Sequence, residues 1–419
     1  MRASRIERWF WGTALLIVLI HPVAYLGMFA GDAEIHLVYG RSAASGHFFE
    51  FNPGEKSPGV TSPGYMLMLV PLFQLFPEGI VPVAVKILNV LFWYGSIGLV
   101  ALLMRQLTSD RRLLMLAAVI AGLLPGSAYN ATIGMESGVF GFAVLLTVVL
   151  AVRLRWFDAA ATTTELSDVT IGVLLGCGCW LRPEGFVIAA LFYLVLVWHM
   201  VSVHARWSRI LWRAVVSAIP LAALAGGVFW FHHQQTGYWL PASGRARVLA
   251  GHLESWKIGP IFVSWKPLRL LALYLPLSSC WLLGCWWIAR KRLVSAQPPV
   301  LLLAAGVSLL FFALYSTVLG SAHLGRYLIF VMPFVVVIAV LAAGHIWQAR
   351  LLKAPSFALL ALGLLTVWGA EMVMRRQLGA STELLHAMHA SDDRARFSDS
   401  VESLLAHPAK HPIVLGLQE

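Results

Sequence analysis

Charge is scarce in this sequence. Asp, Glu, Lys and Arg make up 12% of the 419 residues, against about a quarter in a soluble domain. With 59% hydrophobic residues and a mean hydropathy of +0.76, that scarcity excludes a soluble globular protein. It implies many membrane spans, each needing roughly 20 apolar residues. Cysteine is scarce too. Cys177, Cys179, Cys280 and Cys285 all lie in apolar segments, and no spacing fits a zinc site or a disulfide framework. They read as small packing residues. There is no P-loop, no Gly-x-Ser-x-Gly, no His-Glu-x-x-His and no dinucleotide fingerprint, which argues against a nucleotide-driven pump. No internal repeat of transporter type is visible, and no low-complexity segment stands out.

What is present fits a membrane. Seventeen Trp suit interfacial belts. A formal net charge of +11 would suggest nucleic acid in a soluble chain. In a polytopic one it reads as Lys and Arg in short cytoplasmic loops, and no nucleic-acid partner is expected. The N-terminal apolar run to Ala30 is too long for a signal-peptide core and lacks a small-x-small cleavage site. It is expected as a retained first span with its basic end, Arg2, Arg5 and Arg8, in the cytoplasm.

The expected fold is all-α and polytopic, because helices satisfy their own backbone in lipid. About eleven spans are placed near 10–30, 80–104, 113–132, 137–152, 168–181, 185–203, 214–231, 268–289, 298–319, 327–347 and 355–373. The apolar stretch Pro63 to Phe76 is short and bounded by prolines. Read as an interfacial or re-entrant helix, it leaves Arg105–Arg112, Arg153–Arg155, Arg206–Arg213, Arg290–Arg292 and Arg350–Lys353 on the cytoplasmic side. Residues 1–373 then form a transmembrane domain, with 31–79 its first extracytoplasmic loop. Residues 374–419 form a short extracytoplasmic tail, with a candidate helix near Ser391–Leu405.

On this topology the polar groups gather outside. The stretch Gly31 to Tyr65 carries Asp32, Glu34, His36, Arg41, His47, Glu50, Glu55 and Lys56. Asp32 and His36 share a helix face at i,i+4 spacing, and an Asp there can take a proton from an acceptor hydroxyl. The bland alternative is a solvated helix end. Asn52-Pro53-Gly54-Glu55-Lys56 is turn chemistry; Lys56 either meets a phosphate or is neutralised by Glu55. Glu136, in Gly134-Met135-Glu136-Ser137, sits in a hairpin turn and is either functional or water-exposed. Arg182-Pro183-Glu184-Gly185 puts an Arg where positive-inside bias disfavours it, and its forked donors fit phosphate. Arg182 and Glu184, two apart across Pro183, do not form a routine helical pair. His323, Arg326 and Tyr327 repeat this logic at a later helix mouth. Tyr238 through Arg245 and Arg247 can bind a sugar or a lipid phosphate, or anchor the chain at the interface.

In order, these motifs resemble the GT-C class of polytopic glycosyltransferases. The likeness is closest to the bacterial subfamily that includes mycobacterial terminal arabinofuranosyltransferases. It rests on Asp32-Ala33-x-Ile35, Tyr39, Gly46-His47, Asn52-Pro53-Gly54-Glu55, Gly59-Val60-Thr61, Gly134-Met135-Glu136-Ser137, Arg182-Pro183-Glu184-Gly185, Leu240-Pro241 and Arg326-Tyr327, over roughly residues 10 to 350. The chain departs at four positions. Gly31 replaces the first Asp of a pair, Glu34 a Tyr, Val38 an Arg, and Ser62 an Asn.

The resemblance implies an enzyme of the bacterial inner membrane, multi-pass, with its active site on the extracytoplasmic face. It implies transfer of a hexosyl or pentosyl group from a polyprenyl-phosphate donor to a cell-envelope glycan, lipid or protein acceptor. Asp32 would be the general base. Arg182, Arg326, Lys56 and His323 would meet the donor phosphate. Glu34, His36, Glu136, Glu184, Tyr327, Tyr238 and Arg245 would bind or orient substrate. No cofactor is required, since a lipid phosphate leaves readily; a divalent cation at Asp32 is left open. The main alternative is a transporter or flippase of a lipid-linked or amphipathic substrate, which would place ionisable groups near the bilayer midplane.

Overall fold

The computed structural model describes residues 5–27, 29–124, 126–158, 165–239, 241, 256–258, 261–263, 275–290, 293, 297–317 and 327–348. The chain forms two compact units, Met1–Leu365 and Thr366–Glu419, and every described residue belongs to the first. The expected span at 355–373 and the tail lie outside the described residues.

The described part is almost entirely helical. In order come α1 (Arg5–Ile20), a 3₁₀ turn (His21–Tyr25), α2 (Gly31–Ala44), a hairpin of β1 (Glu50–Asn52) and β2 (Glu55–Lys56), α3 (Pro63–Leu75), α4 (Val81–Leu107), α5 (Arg111–Leu123) and α6 (Ser127–Thr132). Then follow α7 (Ser137–Arg153), α8 (Glu165–Leu181), α9 (Glu184–Ser202) and α10 (Trp207–Thr236). A second antiparallel hairpin pairs β3 (Trp256–Ile258) with β4 (Ile261–Val263). The last elements are α11 (Leu275–Ala289), α12 (Pro298–Thr317) and α13 (Met332–Gln348).

Local chemistry fixes several starts. Pro63 and Pro82 lie in the first turns of α3 and α4, where a missing N–H costs nothing. Asp110 caps α5 by accepting from the Arg112 amide at 2.8 Å, the usual task of an N-cap carboxylate. The expected span 113–132 is not one helix. It breaks between α5 and α6, where Gly126 has φ +78°. The Pro63–Phe76 segment is a helix, α3.

Four described helices are long and apolar enough to cross a membrane: Val81–Leu107, Glu184–Ser202, Trp207–Thr236 and Pro298–Thr317. Shorter apolar helices accompany them, including Pro63–Leu75, Ser137–Arg153 and Leu277–Ala289. Outward faces agree with lipid as solvent. Val83, Ile87 and Leu91 on α4 are exposed at i,i+4 spacing, as are Leu211, Val215 and Ile219 on α10. Such stripes lie on one helix face and would be a liability in water. Inside, α8 packs on α10, α4 on α7, α11 on α13 and α2 on α3. Phe140, Phe311 and Phe330 meet edge to face at 4.9 Å in the core.

Candidate functional site

The turn between α8 and α9 supplies the centre of the site. Arg182 follows the last residue of α8, and Glu184 opens α9. Arg182 is 1% exposed. Its Nε donates to Glu184 Oε2 at 3.2 Å and its Nη2 to Glu184 Oε1 at 2.6 Å. Its Nη1 donates to Glu136 Oε1 at 2.6 Å and to Ser137 Oγ at 2.8 Å. The Arg182–Glu184 spacing that argued against a pair therefore closes a fork. The turn folds the guanidinium back over the first residue of the next helix, a geometry that regular helix spacing does not offer.

Glu136 arrives from the turn before α7, where it is the N-cap residue. Gly134 makes that turn possible. It holds φ +80°, and a Cβ there would lie 2.6 Å from the Phe29 ring and 3.0 Å from Ala33. The turn is clamped from behind. Tyr65 donates to the Gly134 carbonyl at 2.9 Å, and Asn89 donates to the Met135 carbonyl and to the Tyr65 hydroxyl, both at 3.1 Å. On its open side, Glu136 Oε2 lies 3.2 Å from His36 Nε2. The two are close but not aligned as a hydrogen bond, so Oε2 remains a buried acceptor. His36 packs its ring edge to face on Tyr65.

These contacts join α2, the α6–α7 turn, the α8–α9 turn and α12 in one buried chain. Tyr315 of α12 donates to Glu184 Oε1 at 2.5 Å. Tyr327 stacks on Tyr315 and faces the Arg182 guanidinium, whose carbon lies 5.1 Å from the ring centroid. Burial opposes charge on Glu136, but the Arg182 guanidinium, with His36 beside it, outweighs burial and holds the carboxyl below the usual carboxylate range. Burial likewise opposes the charge on Arg182. The carboxylates of Glu184 and Glu136 outweigh it and raise its proton affinity further.

The expected site residues divide into three groups. His36, Glu136, Arg182, Glu184 and Tyr327 come together and are buried. Asp32 and Glu34 are exposed in the first turn of α2, with Asp32 one turn before His36. Lys56 and Tyr238 belong to a separate outer surface. Lys56 Nζ donates to Gln235 at 2.5 Å, and the Tyr238 carbonyl lies 2.7 Å from His232 Nδ1. Arg245, His323 and Arg326 lie outside the described residues.

Direct phosphate binding by Arg182 meets a geometric obstacle. Four of its five N–H groups already serve protein acceptors. In this arrangement the guanidinium organises carboxylates and is not open to a ligand. Metal binding meets another. Among the described residues no three His, Cys, Asp or Glu side chains gather around a common point. Glu136 is turned to Arg182 and His36.

Sequence reading missed Tyr315, Tyr65, Asn89 and the part played by Ser137. Asn89 left a signal. It is fully buried inside the apolar helix α4, and a polar residue within an apolar span marks a needed partner. Tyr315 left none, because its partner is 131 positions away.

No protein-family model and no curated protein matches the sequence. Solved structures do match its fold. ArnT from Cupriavidus metallidurans, bound to undecaprenyl phosphate, aligns with TM-score 0.59 over 87% of this chain and 64% of that one, at 16% identity. The Archaeoglobus fulgidus oligosaccharyltransferase in complex with Zn and sulfate aligns with TM-score 0.57 over 86% of this chain and 52% of that one, at 13% identity. The archaeal oligosaccharyltransferase AglB from the same organism, in complex with an inhibitory peptide and a dolichol-phosphate, aligns with TM-score 0.52 over 89% and 56%, at 13% identity. The chain has the GT-C fold. It spans between 52% and 64% of the length of those three structures. Its buried Arg182–Glu136–Glu184 cluster sits where two inter-helix turns of the helical bundle meet α2.

Proposed function

We propose that the protein is a membrane glycosyltransferase that moves a sugar from a polyprenyl-phosphate donor to an extracytoplasmic acceptor, with Asp32 as general base. The observation that carries this reading is the placement of Asp32. It is exposed in the first turn of α2, and one turn later His36 meets the buried cluster through Glu136. An exposed carboxylate there is open to an acceptor hydroxyl. The buried cluster then fixes the helix that carries it.

In the reaction, the acceptor hydroxyl attacks the anomeric carbon and gives its proton to the Asp32 carboxylate. The new C–O bond forms as the bond to the phosphate oxygen breaks, and the leaving polyprenyl phosphate takes the electron pair. The configuration inverts. Arg326 and His323 are assigned to the phosphate, because a developing anion at a low-dielectric boundary needs fixed cations; Lys56 instead ties the β1–β2 hairpin to α10. Arg182 is assigned to orientation: it holds Glu136 and Glu184, and through Glu136 it positions His36. The fold likeness to a protein bound to undecaprenyl phosphate and to one bound to a dolichol-phosphate supports a lipid-phosphate donor. The motif order supports a terminal pentosyltransferase-like subfamily of the bacterial inner membrane, acting outside the cytoplasm. No step is routed through a metal.

The test is incubation of purified full-length protein with a panel of polyprenyl-phosphate sugars. Release of polyprenyl phosphate that depends on Asp32 supports the reading. Vectorial movement of intact lipid-linked sugar in vesicles, without release, would favour a flippase instead.

A further inference from the structure

A second surface lies away from the buried cluster and is built for a different contact. The hairpin β1–β2 turns through Pro53-Gly54. It is braced by Glu50, which is buried and accepts from the Gly54 amide at 2.9 Å. The hairpin is tied to the end of α10 by Lys56, whose Nζ donates to Gln235. α10 ends at Gly237, where φ is +77°, the left-handed stop that glycine makes without strain. The chain folds back, and the Trp239 indole lies flat on His233, centroids 4.1 Å apart with the planes 2° from parallel.

The consequence is a braced aromatic face beside exposed polar groups. Trp239 is 58% exposed although one face of its ring is covered. Phe51 is half exposed and leans on Tyr39 of α2 at 5.7 Å. Beside Phe51 in the hairpin, Asn52, Glu55 and Lys56 are exposed, with Asn52 donating to Glu55 at 3.1 Å, and Lys56 reaches Gln235, four residues before Trp239. The surface thus offers a flat π-face and polar groups. A sugar ring needs both. Its C–H face packs on a flat π-surface, and its hydroxyls take hydrogen bonds from amide and charged groups.

We infer that the Trp239 face and the β1–β2 hairpin form an acceptor subsite for a glycan, which rests on the glycosyltransferase reading above and narrows its acceptor to carbohydrate. α2 links this surface to the reaction. Tyr39, against which Phe51 packs, follows Asp32 by seven residues, about 10 Å of helix rise. That is within reach of a short oligosaccharide whose end hydroxyl meets Asp32.

Full-length protein in nanodiscs, presented to an array of free glycans without lipid donor, tests the subsite. The wild type retains a subset of the array. Trp239→Ala weakens that retention roughly tenfold, the size of one lost aromatic stack, and Trp239→Phe restores most of it. In transfer assays Trp239→Ala raises the acceptor KM and leaves the donor KM unchanged. An array that captures no glycan on the wild type overturns the proposal. So does a Trp239→Ala variant that captures the same glycans as strongly, which would make Trp239 a membrane anchor. Because array binding needs no donor, retained glycans with no polyprenyl phosphate release would sink the catalytic reading and leave the subsite standing.

Discussion

Arg182 Nη1 lies 2.6 Å from Glu136 Oε1, across 46 residues of chain, and both side chains are almost completely buried. Removing Glu136 leaves Arg182 with Glu184 as its remaining carboxylate and one Nη1 donor unsatisfied out of water, at a cost of about 1–3 kcal/mol. Glu136→Ala is expected to fall in that range, measured by thermal or denaturant unfolding in a fixed detergent. Arg182→Lys keeps the charge but loses the fork to Glu184. It is expected to destabilise less than Glu136→Ala while still lowering transfer. Equal stability of wild type and Glu136→Ala would show that the pair does not hold the turns together.

The same pair sets a pH dependence. The Glu136 carboxyl is held below its ordinary value of 4.5. A depressed carboxylate contributes stability that is fully present above its unfolded value and is lost as pH falls through the folded one. The unfolding midpoint is therefore expected to stay level from neutral pH to the ordinary carboxylate range and to fall below it. Glu136→Gln should flatten part of that fall. A wild-type midpoint that drops between pH 8 and 6 would point to a different group.

Asp32 answers to activity rather than stability. It is exposed at the start of α2, so Asp32→Asn is expected to cost at most about 1 kcal/mol of helix-dipole stabilisation. Loss of a general base is expected to lower transfer by roughly 10²–10⁴-fold. Polyprenyl phosphate release at near wild-type rates in Asp32→Asn would remove it as the base.

How far the sequence foretold this arrangement depends on the range of each contact. Apolar runs announced helices, because lipid-facing stripes such as Val83, Ile87 and Leu91 are written in consecutive turns. The turns holding Glu136 and Arg182 were legible because charge is conspicuous between apolar helices. The pairing between them was not, since nothing local relates positions 46 apart. The Arg182–Glu184 fork was hidden for a different reason: helix spacing rules describe helices, and this contact is made by a turn. The break at Gly126 was hidden inside an apolar run whose hydropathy does not change when the backbone stops being helical.

Tyr65 tests the clamp behind the Glu136 turn. Tyr65→Phe removes the hydrogen bond to the Gly134 carbonyl and strands part of Asn89. One lost buried hydrogen bond is worth about 1 kcal/mol, more when a partner is left unsatisfied. If the clamp also positions Glu136, kcat should fall with little change in acceptor KM. A loss of stability with kcat intact would confine Tyr65 to packing.

Gly185 sets how closely α9 approaches α8 beside Arg182. A Cβ at this position would lie 2.5 Å from the Gly178 carbonyl carbon and oxygen and 2.6 Å from the Cys179 nitrogen. Those are backbone atoms, so no rotamer change relieves the contact and one helix must move. Overpacking of this kind costs about 1–3 kcal/mol. The movement falls on the turn that pairs Arg182 with Glu184, so Gly185→Ala should lower transfer as well as the unfolding midpoint. Gly138 provides the control, since a Cβ there meets nothing within 4 Å and Gly138→Ala should raise helix propensity in α7 without strain. If Gly185→Ala and Gly138→Ala behave alike in both measurements, the α8–α9 approach does not hold Arg182 in place.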